Sequence, residues 1–488
     1  MHDLLQEMGL EIVRRESPDE PGKRSRLCSL GDVDHVLSKN TGTEAVQGIL
    51  LGSADSADTG LHLNAKSFSM MKKLRLLMIQ NHVHLSDDLE YLSSELRILQ
   101  WWGFPLQSLT SLCNLEKLQE IEMRHSQIEY LWKGKKPLYS LKSIDLSHSL
   151  NLLMTPNFSG SPYLECLVLE GCIQLYEIVP DPEKHCTFLS WASFINCFTL
   201  AKQGCNSVAF TSMIRHLQEV SQYHCEEARK TLFHFVIPGN EIPEWFDHQT
   251  VTPSVSIHLH PGRRSNKFLG FALCSVFAVH ERCQLPPVYP CEYDITCIVK
   301  VDGEELYKKP VFSFDGMQGR GVSDHLWFHY ENSPPSYRHH VERAEWQQIE
   351  FSFQVKGQGL VVKKCGVRLV YEQDVEEVNQ SNANISDEAL EFPRCDDGKA
   401  AVVSHAISKR GVPHSHGGGS SKRSGFVYME LINTFIDQYT SEVHVSHAIS
   451  KRGLPHSDGG ESSTGRGFVK YGSVCFDEER RLKRLKRH

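Results

Sequence analysis

One leucine pattern recurs five times between residues 70 and 180, and it constrains the fold more than any other feature. The stretches are LRLLMI from Leu74, LRILQW from Leu96, LQEIEM from Leu118, LKSIDL from Leu141 and LECLVL from Leu164, at intervals of 22, 22, 23 and 23 residues. Each has apolar residues at its first, fourth and sixth places, then an apolar or small residue downstream, such as Ile128 after Ser126 and Leu175 after Cys172. In an extended segment the fourth and sixth places share a face. A unit this short cannot enclose its own leucines, so neighbouring units must stack and bury them together. Unrelated leucine-rich helices would not keep one register through four intervals.

This period and spacing are the signature of a leucine-rich repeat. The asparagine usual in that motif is replaced by small or polar residues such as Ser149 and Cys172, which loosens the match. FLSWASFINCFTL, residues 188–200, reads as a degenerate terminal repeat. Places that alternate with the leucines point away from the core, so Glu122, Arg124, Asp145, Ser147, Val168 and Glu170 are candidate partner-binding residues.

On either side the period changes. Residues 1–16 carry Met1, Leu4, Leu5, Met8, Ile12 and Val13 on one helical face, and Ser17-Pro18 ends that helix. A second helix is predicted from about Asp32 to Asn40 or Gly42, and Glu44 to Leu51 reads as a strand. Some 50 residues are marginal for folding alone, so this part reads as a domain remnant or a docked cap. Residues 208–230 read as a helix. From Leu232 the alternation has period two, as in SVSIHLH, ITCIVKV and IEFSFQV. Roughly eight short strands over 232–372, broken by Pro and Gly, predict an antiparallel β-sandwich. Beyond residue 373 an acidic stretch leads into a duplication, VSHAISKRGVPHSHGGGSSKRSGFV from Val403 and VSHAISKRGLPHSDGGESSTGRGFV from Val445. Its Gly, Ser and His richness predicts disorder, with a helix allowed at YMELINTFIDQY.

Chemistry is sparse in this chain. No G-x-x-x-x-G-K-[ST] loop exists to cradle a triphosphate, and no nucleophile–histidine pair can be assembled from local signatures. The 15 cysteines include no C-x-x-C pair, which argues against zinc and for reduced, buried thiols. The tail histidines among the 26 in the chain, such as His405 and His447, read as solvated low-complexity sequence rather than metal ligands. The longest apolar run, Phe268 to Val279, is too short to cross a bilayer, and no secretory signal is visible. A net charge of −8 gives no overall attraction to nucleic acid. The terminal KRLKR is a nuclear import signal, a nucleic-acid tail or a solvated end. In VIPGNEIPEWFDHQ, from Val236, two prolines frame a Gly-Asn turn before Trp245 and Phe246. Those rings either anchor a partner, with Asn240 and Glu241 beside them, or plug the edge of the sandwich core. His2 and Asp3 form either a helix cap or a nucleotide sensor.

The order of these motifs resembles a known family. MHDLLQEMGLEIVRRES, PGKRSRL, NTGTEAVQGI and FSMMKKLRLL resemble the end of the nucleotide-binding region of plant TIR-type nucleotide-binding leucine-rich-repeat (TIR-NBS-LRR) immune receptors. IPGNEIPEWFDHQ, FLGFALCSVF and KKCGVRLVYEQD resemble their post-repeat jelly-roll/immunoglobulin-like (C-JID) domain. The resemblance covers residues 1 to about 374. It implies an α+β multidomain chain, with a short leucine-rich-repeat solenoid followed by an antiparallel β-sandwich and a disordered tail. The implied boundaries are 1–52 for a remnant of the NB-ARC C-terminal winged-helix/MHD region, 53–205 for the repeats, 206–374 for the C-JID-like sandwich, and 375–488 for the tail with its duplicated 403–427 and 445–469. In that family the motif histidine contacts ADP, which makes His2, with Asp3, a vestigial sensor here, because the phosphate-binding loop and the NAD-cleaving TIR domain have no counterpart. The expectation is a non-catalytic recognition protein of the cytoplasm or nucleus. It needs no cofactor or metal, and it binds a pathogen effector or another immune receptor. The alternative is an incomplete gene model of a full receptor with an ADP/ATP switch and NAD hydrolase activity.

Overall fold

The computed structural model describes residues 3–52, 60–63, 65–80, 83–85, 89–109, 115–178, 189–201, 209–210, 212–217, 233–259, 268–280, 292–315, 322–332 and 347–374. The chain divides into two units, Met1–Gly419 and Ser420–His488, and every described residue lies in the first. His2, most of the predicted helix over 208–230, the predicted disordered tail and its helix lie outside the described residues.

Helix α1 (Asp3–Glu16) places Arg14 and Arg15 in its last turn, where cations meet the negative end of the helix dipole. On its apolar stripe Met8 is 53% and Ile12 63% exposed, and Val13 is half-buried. Helix α2 (Leu30–Ser38) begins with Ser29, whose hydroxyl accepts from the Asp32 amide, and it buries Val33, Val36 and Leu37. Asn40, at φ 54°, turns the chain out of it. Arg24 joins the two helices. Its guanidinium donates to the carbonyls of Ser17 and Pro18 and to Asp32, each at 2.8 Å. Arg24→Ala removes all three bonds and is expected to cost about 2 kcal/mol. Hydrogen exchange should show α1 amides losing protection while those of the repeats keep theirs.

The repeats lay down a parallel ladder. It runs through β1 (Arg26–Leu27), β2 (Gly48–Leu51), β4 (Leu76–Ile79), β6 (Ile98–Trp101), β7 (Glu120–Glu122), β8 (Ser143–Asp145), β9 (Cys166–Val168) and β10 (Trp191–Ser193). Segments β3 (Leu61–Leu63) and β5 (Val83–Leu85) pair separately. The ladder thus starts upstream of residue 53, because Gly48–Leu51 registers with Leu76–Ile79. Equivalent leucines stack down the core: Leu77, Leu99, Ile121, Ile144 and Leu167 are all 0–1% exposed. In place of an asparagine ladder, small side chains reach the same carbonyl in each preceding repeat. Ser149 Oγ donates to Met123 O at 3.2 Å, Cys172 Sγ to Leu146 O at 3.3 Å and Cys197 Sγ to Leu169 O at 3.0 Å. One residue earlier, Gly103, His125, His148, Gly171 and Asn196 all have φ between 56° and 71°, so β6, β7, β8, β9 and β10 each lead into the same left-handed turn.

The sandwich grows out of this sheet. After the predicted terminal repeat, β11 (Phe233–Pro238) pairs in parallel with β10, so the ladder continues. The remaining strands are β12 (His248–Thr250), β13 (Ser254–His258), β14 (Phe268–Val279), β15 (Glu292–Val301), β16 (Glu304–Asp315), β17 (Val322–Asn332), β18 (Gln348–Lys356) and β19 (Leu360–Tyr371). Antiparallel pairing then carries the order β11-β17-β14-β19-β12, giving one sheet of 13 strands. A second sheet, β13-β18-β15-β16, covers one face of the sandwich part. Asp302 and Gly303, both at positive φ, make the tight turn from β15 to β16.

Two cores result. The leucine core of the repeats continues under the sandwich as Ala272, Cys274, Phe328 and Tyr330, capped by Phe246. On the opposite face Phe271, Leu273, Trp327, Phe351 and Phe353 pack between the two sheets. Strand β14 is buried at all twelve positions because both of its faces are covered, and so it reads as an unbroken apolar run.

Candidate recognition surface

The face of the parallel ladder opposite the leucines is organised in tracks one strand apart. Ile98, Glu120, Ser143 and Cys166 register with one another, as do Gln100, Glu122, Asp145 and Val168. Beyond them stand Trp102, Arg124, Ser147 and Glu170. Three carboxylates on this face, Glu122, Asp145 and Glu170, act on the Arg124 guanidinium, and Glu120 neighbours Glu122 and Asp145.

Arg124 links the carboxylates. Its Nε lies 3.1 Å from Glu122 and its Nη2 2.7 Å from Asp145, and its guanidinium carbon sits 5.7 Å from the Trp102 ring centroid. Burial works against its charge, but Asp145, Glu122 and Glu170 outweigh that and hold its pKa above the ordinary arginine value. Glu122 also accepts from Trp102 Nε1 at 3.0 Å, Asp145 from the Ser147 amide and hydroxyl at 2.9 and 2.6 Å, and Glu170 from Ser193 Oγ at 2.6 Å. Glu120 accepts from Gln100 at 3.0 Å. Burial pushes the Glu120 carboxyl above its ordinary pKa against that hydrogen bond, and Glu122 and Asp145 add repulsion. At the rim the His125 and His148 rings stack with centroids 4.8 Å apart. Burial and the neighbouring His125 hold His148 down to about 4.

The residues singled out on the repeats therefore share one face, but they are not free side chains. Glu122, Asp145 and Ser147 are 3%, 9% and 4% exposed. Val168 is half-buried and adjoins them. Of the residues singled out in the IPGNEIPEWF stretch, Asn240 and Glu241 are exposed. Phe246 is buried in the repeat-side core, 6.2 Å from Phe328 between ring centroids. Trp245 is half-buried between the Phe210 ring at 5.6 Å and the Arg368 guanidinium at 4.7 Å. Asp3 begins α1. Sequence reasoning missed Gln100, Trp102 and Glu120, which the two-residue alternation of their strands would have placed on this face. It also missed the paired histidines at the left-handed turns, His125 and His148, which recur at the repeat interval.

Among the described residues no group of three or more His, Cys, Asp or Glu side chains is arranged to hold a metal, and no helix is long and apolar enough to cross a membrane. Burial pushes the Cys166 and Cys172 thiols to about 12 and holds Cys297 well above the ordinary thiol value. Three units of pKa lower the thiolate fraction roughly a thousandfold, because the thiolate is the reactive form. In the native chain Cys172 should therefore resist iodoacetamide at pH 8 under conditions that label a free cysteine fully, with peptide mass spectrometry as the readout. Rapid native labelling of Cys172 would count against its burial.

The structure is thus a leucine-rich-repeat ladder continued into a β-sandwich, with a polar network across the ladder. Residues 237–376 match the family model of the C-JID domain. The chain is 37% identical over 198 residues to Protein SUPPRESSOR OF npr1-1, CONSTITUTIVE 1 of Arabidopsis thaliana, covering 40% of this chain and 14% of that protein. It is 40% identical over 187 residues to Disease resistance protein RPS6 of Arabidopsis thaliana, covering 36% and 16%. It is 38% identical over 179 residues to TMV resistance protein N of Nicotiana glutinosa, covering 36% and 15%. Residues 237–376 thus match a C-JID domain, and the chain is similar over 36–40% of its length to plant disease-resistance proteins, of whose own length it covers only 14–16%.

Proposed function

We propose that this chain recognises a protein partner in plant defence, a pathogen effector or another immune receptor, through the ladder face and the adjoining C-JID domain, without catalysis of its own. The observation that carries this reading is the network centred on Arg124. Its charged groups are fixed by one another, so a partner would meet them already oriented and would not have to order them on binding. The kinship with disease-resistance proteins supports the same reading.

The test is co-expression with candidate effectors in leaf tissue, followed by co-precipitation and a binding curve. Val168→Arg places a bulky cation on the ladder face, whereas Val251→Arg changes a side chain that is 81% exposed and remote in sequence from the repeats. The first is expected to weaken binding at least about tenfold and the second to leave it unchanged, with thermal unfolding of both variants as in the parent. Equal binding by both would sink the ladder face as the recognition surface. A nucleotide role for His2 and Asp3 is a separate proposal. Calorimetry with ADP is expected to give no binding isotherm, and micromolar binding would restore the switch reading.

A further inference from the structure

At the splice between repeats and sandwich, one imidazole ties together segments 129 residues apart. His325, in β17, is 0% exposed. Its Nε2 lies 2.9 Å from the backbone nitrogen of Asn196, and its Nδ1 lies 2.6 Å from the Ser323 carbonyl oxygen. A backbone amide can only donate and a carbonyl can only accept. Nε2 is therefore the acceptor, Nδ1 carries the proton, and the ring is neutral. A second proton on Nε2 would confront the Asn196 N–H, and that contact would have to break.

The turn held by this contact is the left-handed one that closes the last repeat, with Asn196 at φ 60°. Asn196 Oδ1 is buried and accepts no hydrogen bond, so that oxygen supplies no substitute tether. Around the turn the splice has separate supports. Phe194 N donates to Val236 O at 2.9 Å, Ile195 is buried in the core between the sheets, and the Trp191 and His234 rings stack at 3.9 Å. Loss of the His325 contact would free the turn without unzipping the sheet.

We propose that His325 is an acid-released latch between the last repeat and the sandwich: neutral, it holds the Asn196 turn against β17, and protonated it lets that turn go.

The groups facing the ring come from four elements. On β17 itself Asp324 favours the charged form, but it is ion-paired with Lys363 of β19 at 2.6 Å. Strand β14 offers the Phe277 ring, stacked at 5.7 Å, and β11 offers Pro238 in register. The repeat turn offers Asn196. Burial, against the pull of the Ser323 carbonyl and Asp324, holds the imidazole down to about 4. Once released it would titrate near the ordinary value of about 6.5. The sign follows: the latched state excludes the proton that the released state takes up, so latching is full above about pH 6.5 and is lost as pH falls toward 4. By linkage the opening equilibrium rises about a hundredfold between pH 7 and pH 4.

Hydrogen exchange on the full chain, corrected for intrinsic rates, tests this with β11 amides as the internal reference. The Asn196 amide should lose about a hundredfold more protection than β11 between pH 7 and pH 4. In His325→Gln the side-chain oxygen still accepts but cannot titrate, so that difference should vanish. A wild-type Asn196 amide that tracks β11, or an unchanged difference in His325→Gln, would overturn the latch. Nitrogen-15 shifts of the wild-type ring at pH 7 give an independent check. The proton must be on Nδ1, and a proton on Nε2 would overturn the proposal whether or not the variant folds.

Discussion

Trp327→Ala is expected to destabilise the chain by about 4 kcal/mol, the middle of the range for removal of a buried aromatic ring. Trp327 is 0% exposed and stands between the two sheets. Its indole lies edge-on to Phe353 at 5.8 Å and stacks on His329 at 5.2 Å, and its Nε1 donates to His234 Nδ1 at 3.1 Å. Truncation leaves a cavity and removes the donor from a buried imidazole. The measurement is the denaturant midpoint at constant slope, followed by tryptophan-independent far-ultraviolet circular dichroism. Because repeats and sandwich share a sheet and a core, both should shift together in one transition. A loss below about 1.5 kcal/mol, or a repeat transition that stays in place while the sandwich moves, would contradict the shared core.

Arg124→Ala is the second large effect, expected at about 3 kcal/mol. The Arg124 side chain is largely buried, and so are the side chains of Glu122 and Asp145. Removing the one cation leaves those charges facing each other and Glu120 with little water to screen them. Neutralising both neighbours as well, with Glu122→Gln and Asp145→Asn, should recover more than half of the loss. If the triple variant is no more stable than Arg124→Ala, the cost lies in lost packing against Trp102 and not in uncompensated charge.

The repeats were legible because leucine spacing reports directly on burial. Leu77, Leu99, Ile121, Ile144 and Leu167 occupy equivalent buried places in the ladder. Even the departures from the motif have a physical answer, since Ser149, Cys172 and Cys197 each reach the carbonyl of the preceding repeat. The splice was not legible. Pairing of Trp191–Ser193 with Phe233–Pro238 joins strands some 40 residues apart in sequence, and no local pattern encodes such a partner. Strand alternation placed Glu122 and Asp145 opposite the leucines but could not reveal that Arg124 would occupy the space between them. Of the two readings open for Trp245 and Phe246, the core-plug reading describes Phe246, which is 1% exposed. Trp245 is half-buried. Alternating apolar residues mark a strand, but they do not say which of its neighbours are aromatic.

The continuity of the sheet also sets where this chain can be cut. The C-JID match begins at residue 237, inside β11, which runs from Phe233 to Pro238. A fragment started at that boundary would lose most of a central strand and leave β17 with an unpaired edge open to aggregation. A chimera that exchanges sandwiches between relatives should keep its partners in register only when the crossover lies before Trp191, so that the last repeat travels with the sandwich. The heritable unit of this architecture is therefore larger than the domain its sequence advertises.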